Sequence, residues 1–90
     1  MLINAMERMM KELLEEYKHR LQLKCTCSTC LDDILALSLN KTTPRYVTNM
    51  EKVMYVKAEL IDKQEITSLL VILAECAKIV SDNPQCDNYK

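Results

Sequence analysis

Apolar residues at the start of the chain recur with the period of a helix. Ile3, Met6, Met10, Leu13, Leu14, Tyr17 and Leu21 fall on one face, with Glu, Lys and Arg opposite, which predicts an amphipathic helix over residues 4–22. Asn4 suits the N-cap, and Glu7, three residues on, suits the partner in a capping box. Leu2, Met6 and Met9 widen the apolar arc beyond a single seam. Such a width serves a helix held between two neighbours in its own core, or one whose stripe meets a second subunit.

The periodicity stops over residues 23–29. A second helix is expected over 30–40, capped by Ser28 or Thr29, with Asp32 and Asp33 in its first turn and Ile34, Leu35, Leu37 and Leu39 as its apolar surface. Residues 41–49 read as a connector, because Pro44 biases Thr43 away from helical angles. In the next segment Met50, Val53, Met54 and Ile61 match a helix, while 53–56 alone suits a short strand. Helix is the better reading, since a lone strand has no evident partner. Asp62 and Glu65 have capping-box spacing before Ile66, Leu69, Leu70, Leu73, Ala77 and Val80. Asn83 and Pro84 stop this last helix, and the residues after them read as a frayed tail. The expected fold is one all-α domain over 1–90, a bundle of four to five helices.

Composition sharpens this picture in three ways. Half of the 90 residues are apolar, yet Phe and Trp are absent, so the core is modest and favours a staple or a partner subunit. A net charge of −1 argues against direct nucleic-acid binding, which needs a concentrated basic surface. The longest apolar run, 69–74, is far short of the roughly 20 residues that span a bilayer, and Glu7, Lys11 and Glu12 interrupt anything resembling a signal peptide. These features predict a cytoplasmic protein without a membrane segment. Glycine is absent, which excludes the glycine-rich loops that cradle phosphates and dinucleotides.

The chemistry lies in the cysteines. Five thiols in a reducing compartment cannot all pair, and clustered cytosolic cysteines bind metal more often than they form disulfides. Cys25, Cys27 and Cys30 form C-x-C-x-x-C just before a helix. Zinc takes four ligands in a tetrahedron and favours thiolate, so these three are expected to hold Zn2+. Cys76 is the first candidate for the fourth ligand and Cys86 the alternative; His19 and water are weaker. A closed zinc–thiolate site is chemically quiet, and the chain is not expected to be an enzyme. The competing reading is a thiol redox switch at Cys27 and Cys30, although the βαβ context of a thioredoxin-like pair is missing.

The cysteine cluster running into Leu31-Asp32-Asp33-Ile34-Leu35-Ala36-Leu37-Ser38-Leu39-Asn40, then Pro44-Arg45-Tyr46-Val47, resembles the ComFB family. The opening Ile3-Asn4-Ala5-Met6-Glu7 and the closing Ile79-Val80-Ser81-Asp82-Asn83-Pro84 are similar to that family's ends. The resemblance implies a helical, homodimeric cytosolic protein with cysteine-held zinc, associated with the competence operon and a protein partner in the DNA-uptake machinery. It also implies an alternative function, since some cyanobacterial relatives are receptors for cyclic dinucleotides such as c-di-GMP. Here that role would fall to the 41–48 connector, where Lys41, Arg45, Tyr46 and Thr48 could contact phosphate and stack on a base.

Overall fold

The computed structural model describes residues 1–83. Four α-helices make up most of it: α1 (Ala5–Tyr17), α2 (Ser28–Asn40), α3 (Met50–Asp62) and α4 (Ile66–Asp82). A 3-10 turn, Lys18–Arg20, extends α1, and two short strands, β1 (Ile3–Asn4) and β2 (Tyr46–Val47), pair antiparallel. The all-α expectation holds, and 53–56 is helical. The ribbon was not anticipated: the strand-forming residues lie in the connector, where Ile3 and Asn4 give them a partner.

Asn4 does two jobs at this junction. Its side-chain oxygen accepts from the Met6 amide at 3.1 Å, capping α1, and from the Arg45 amide at 3.1 Å, fixing the connector to the helix start. The wide apolar arc of α1 is explained within one chain: Ala5, Met6, Met9, Met10, Leu13 and Leu14 are all buried. The regular helix ends at Tyr17, five residues earlier than its periodicity implies. The backbone tightens over Lys18–Arg20 and then reverses at Gln22, where φ is 53°.

The central layer is α2 against α4, with α1 packed on α2. The buried stripe of α2 is Cys30, Ile34 and Ser38, while Leu31, Leu35, Leu37 and Leu39 are only partly buried. Ser38 is fully buried, and its hydroxyl donates to the Ile34 carbonyl at 2.8 Å, so no polar group is stranded. A small side chain there keeps the helix surface shallow. Opposite it, α4 presents Leu69, Leu73, Cys76, Ala77 and Val80. On α3 the buried residues are Val53, Val56 and Leu60, which face α1 and β2. Of the residues that signalled a helix there, Val53 is in the core, while Met50, Met54 and Ile61 lie outside at 47, 62 and 55 % exposure.

Asp62 does not cap the last helix. It is the final residue of α3, and α4 begins at Ile66 with no side-chain cap on Glu65. Between them the Glu65 amide donates to the Leu60 carbonyl at 3.0 Å and the Gln64 amide to Ile61 at 3.1 Å. This paired closure is the Schellman arrangement, which needs one left-handed residue. In a chain without glycine, Gln64 takes that role at φ 57°. A Cβ in the left-handed region costs roughly 1–2 kcal/mol.

One side-chain network ties the connector just before β2 to α3. The Arg45 guanidinium meets Glu59 at 3.0 Å, and Lys63 meets the other oxygen of the same carboxylate at 2.9 Å. Hydrogen bonds from Lys63 and then Arg45, followed by the charges of Arg45 and Lys63, hold the Glu59 carboxyl down at about 2, from an ordinary value of 4.5.

Two outcomes follow from these contacts. Gln64→Gly should stabilise the fold by about 1 kcal/mol through release of the left-handed strain, read as a higher melting temperature; an unchanged or lower value would contradict that account. Because the Glu59 pKa is depressed on folding, its contribution is present above about 4.5 and lost as pH falls toward about 2. Acid titration followed by circular dichroism should show a smaller loss of stability across that window for Glu59→Gln than for the wild type.

Candidate metal centre

Burial alternates residue by residue along the segment entering α2. Leu21, Leu23, Cys25 and Cys27 are partly buried against the core, while Gln22, Lys24 and Thr26 are exposed. In extended backbone, residues two apart share a face, so C-x-C sends the Cys25 and Cys27 side chains to the same side. Helical backbone then takes over, and residues three apart share a face. Cys27 is the N-cap, with φ −66° and ψ 162°, and Cys30 stands in the first turn. The change of period at Cys27 is what gathers the three thiols.

Their sulfurs all lie within 4.8 Å of one another, with Cys25 and Cys27 half-buried and Cys30 fully buried. A tetrahedral zinc with Zn–S near 2.3 Å sets sulfur–sulfur separations of about 3.8 Å. Small side-chain rotations close that difference, so the donor set suits a thiophilic ion. The first-turn amides of α2 and its positive dipole end face the same place and favour negative charge there. The loop is held to the far end of α4 by the Lys24 amide, which donates to Ser81 Oγ at 3.4 Å.

The local capping differs from expectation. Helix α2 begins at Ser28, so Ser28 and Thr29 are helical residues instead of caps, and no side chain caps the turn at Cys27. Asp32 and Asp33 consequently sit in the second turn.

The other candidates are placed as follows. Cys76 is fully buried in α4, on the stripe that packs against α2, and is not part of the group within 4.8 Å. Cys86 lies outside the described residues. His19 is exposed on the 3-10 turn, beside Arg20, whose guanidinium stacks 5.2 Å from the Tyr17 ring centroid. In the connector, Arg45 is engaged by Glu59, and Thr48 accepts from the Lys52 ammonium at 3.2 Å. Lys41 is exposed, and Tyr46 is 61 % exposed. Ser38 and Ser81 are the residues that sequence reasoning missed. A serine within an apolar helical stripe, at i+4 from Ile34 and i+8 from Cys30, was the available signal for the first; nothing local signals the second.

Comparison with known proteins gives a consistent result. The family model described as late competence development protein ComFB matches residues 3–84. A Bacillus subtilis (strain 168) protein, described as competence protein ComFB, is 56 % identical over 84 residues, covering 93 % of this chain and 86 % of that one. The solved structure of the late competence protein ComFB from Bacillus subtilis superposes with a TM-score of 0.93 at 54 % identity, covering 97 % of this chain and 98 % of that one.

Proposed function

The chain belongs to the ComFB family, and from that premise we propose that it is a zinc-binding accessory protein of bacterial competence. It acts by binding other proteins, without catalysis, in the cytoplasm and as a homodimer. The observation that carries this reading is the convergence of the Cys25, Cys27 and Cys30 sulfurs at the start of α2. When bound, the ion supplies a cross-link between the loop and α2, worth on the order of 10 kcal/mol in small zinc folds.

Cys76 is the proposed fourth ligand, because α4 packs on the helix that carries Cys30 and both side chains are fully buried. Cys86 is the alternative. Dimerisation is supported by exposed apolar side chains in a chain with few large core residues, though not by the methionines of α1, which its own core consumes.

Two further readings have an observation in their favour. The exposed ring of Tyr46 offers a stacking surface for a cyclic dinucleotide, with Lys41 nearby in sequence. Against it stands the engagement of Arg45 by Glu59. The proximity of the three sulfurs equally suits a thiol switch that releases zinc on oxidation.

Native mass spectrometry of reduced protein, purified without chelator, should find one zinc per chain. Serine at position 25, 27 or 30 should lower that stoichiometry and the melting temperature together. Metal-free protein that melts at the same temperature would overturn the zinc reading. Cys76→Ser should abolish tight zinc binding; full retention, with loss instead in Cys86→Ser, would reassign the fourth ligand. Calorimetric heat on adding c-di-GMP would favour the receptor reading, and zinc loss under mild peroxide the switch.

A further inference from the structure

A cleft of about 390 Å3 opens beside the first turns of α1, lined by Met1, Leu2, Asn4, Glu7, Arg8 and Lys11 among others. Lys11 lies four residues after Glu7 and three after Arg8, so these side chains share one exposed face of the helix. No residue of the thiol cluster reaches this cleft.

Its two cations are left without a carboxylate. Glu12 stands four residues after Arg8, and Glu15 four after Lys11, the spacing at which a helix offers ion pairs. Both acids are drawn elsewhere: Glu12 meets the Lys57 ammonium of α3 at 2.9 Å, and Glu15 meets Lys18 at 3.0 Å. Among the described residues neither Arg8 nor Lys11 forms an ion pair, in a chain with more acids than bases. Met1 and Leu2, 86 and 70 % exposed, add apolar surface to the same cleft.

We infer that this cleft receives an acidic segment of a partner protein, with one carboxylate on Arg8 and Lys11 and a neighbouring apolar side chain on Met1 and Leu2. This gives the protein-binding role proposed above a contact surface; it rests on that role and not on zinc. The guanidinium fork of Arg8 matches a carboxylate through two parallel hydrogen bonds, and the Lys11 ammonium adds a second charge. Glu7 on the same wall offsets one of the two cations. The remaining single positive charge suits one carboxylate, whereas a polyphosphate or a nucleic-acid backbone needs a more concentrated basic surface.

The test follows amide chemical shifts by NMR on the full zinc-loaded chain. The probe is a capped alanine-based pentapeptide carrying one glutamate beside one leucine. Saturable shifts should centre on Glu7, Arg8 and Lys11, with a dissociation constant of about 1 mM or tighter. Exchanging the peptide's glutamate for glutamine should weaken binding about tenfold, and Arg8→Gln in the protein should do the same. Glu7→Gln should tighten binding about twofold, a direction that damage to the fold would not produce. Circular dichroism checks each variant, and all three side chains are exposed. Shifts that never saturate, or that spread over every lysine, overturn the site. An Arg8→Gln protein that binds like wild type overturns the carboxylate contact. Succinate or pyrophosphate binding more tightly than the peptide replaces the protein partner with a free small anion and so overturns the inference. A folded, zinc-loaded protein that ignores the peptide removes this cleft and leaves the proposed function standing.

Discussion

The contact on which the rest of this structure depends is the close approach of α2 to α4. Two helices can lie near each other only where their facing side chains are small or interlock. Here the facing set is Cys30, Ile34 and Ser38 on one side and Leu73, Cys76, Ala77 and Val80 on the other. Two thiols, a hydroxyl and a methyl group keep that layer thin. Ser38 satisfies its own hydroxyl by bonding back along the helix, so the interface takes a polar atom without exposing or stranding it. With no Phe or Trp anywhere in the chain, cohesion rests on this fit and on the methionines of α1, whose flexible thioethers fill the irregular space beside it.

That layer also explains where the thiol cluster sits. Cys30 belongs to both systems: its side chain is part of the core, and its sulfur is one of the three gathered within 4.8 Å. The helix fixes Cys30, the segment of alternating burial before it carries Cys25 and Cys27, and the change of period falls at Cys27. A metal bound there would join the loop to the central helix pair. The bond from the Lys24 amide to Ser81 fastens the same loop to the end of α4. The proposed centre is therefore placed where a cross-link constrains three elements together, which is the setting where a small fold gains most from one.

The opposite side of the molecule is built on different terms. There Asn4 serves the ribbon and the start of α1 at once, and Glu59 gathers Arg45 and Lys63 from two elements. Connections are made by polar groups, and the apolar residues of α3 are divided between inside and outside. The connector is thereby braced: its arginine is spent on the scaffold, while Lys41, Tyr46 and Thr48 stay exposed.

Much of this was settled by local chemistry and so was readable from the residues alone. The amphipathic period of α1, the Asn4 cap, the break at Pro44 and the spacing of Cys25, Cys27 and Cys30 each act over a few residues, and each reappears in the fold. What required the tertiary structure was every choice among local equals. On α3 two stripes of similar hydrophobicity competed for the core, and β-branched Val53 and Val56 won over Met50 and Met54 because of what α1 and β2 present to them. The pairing of β1 with β2 joins residues more than forty positions apart. The turn at Gln64 closes on backbone bonds that any side chain permits at some cost, so Asp62 and Glu65 offered a cap the chain does not use. Period and capping are properties of neighbours along the chain; burial is decided by neighbours in space, which a single sequence does not name.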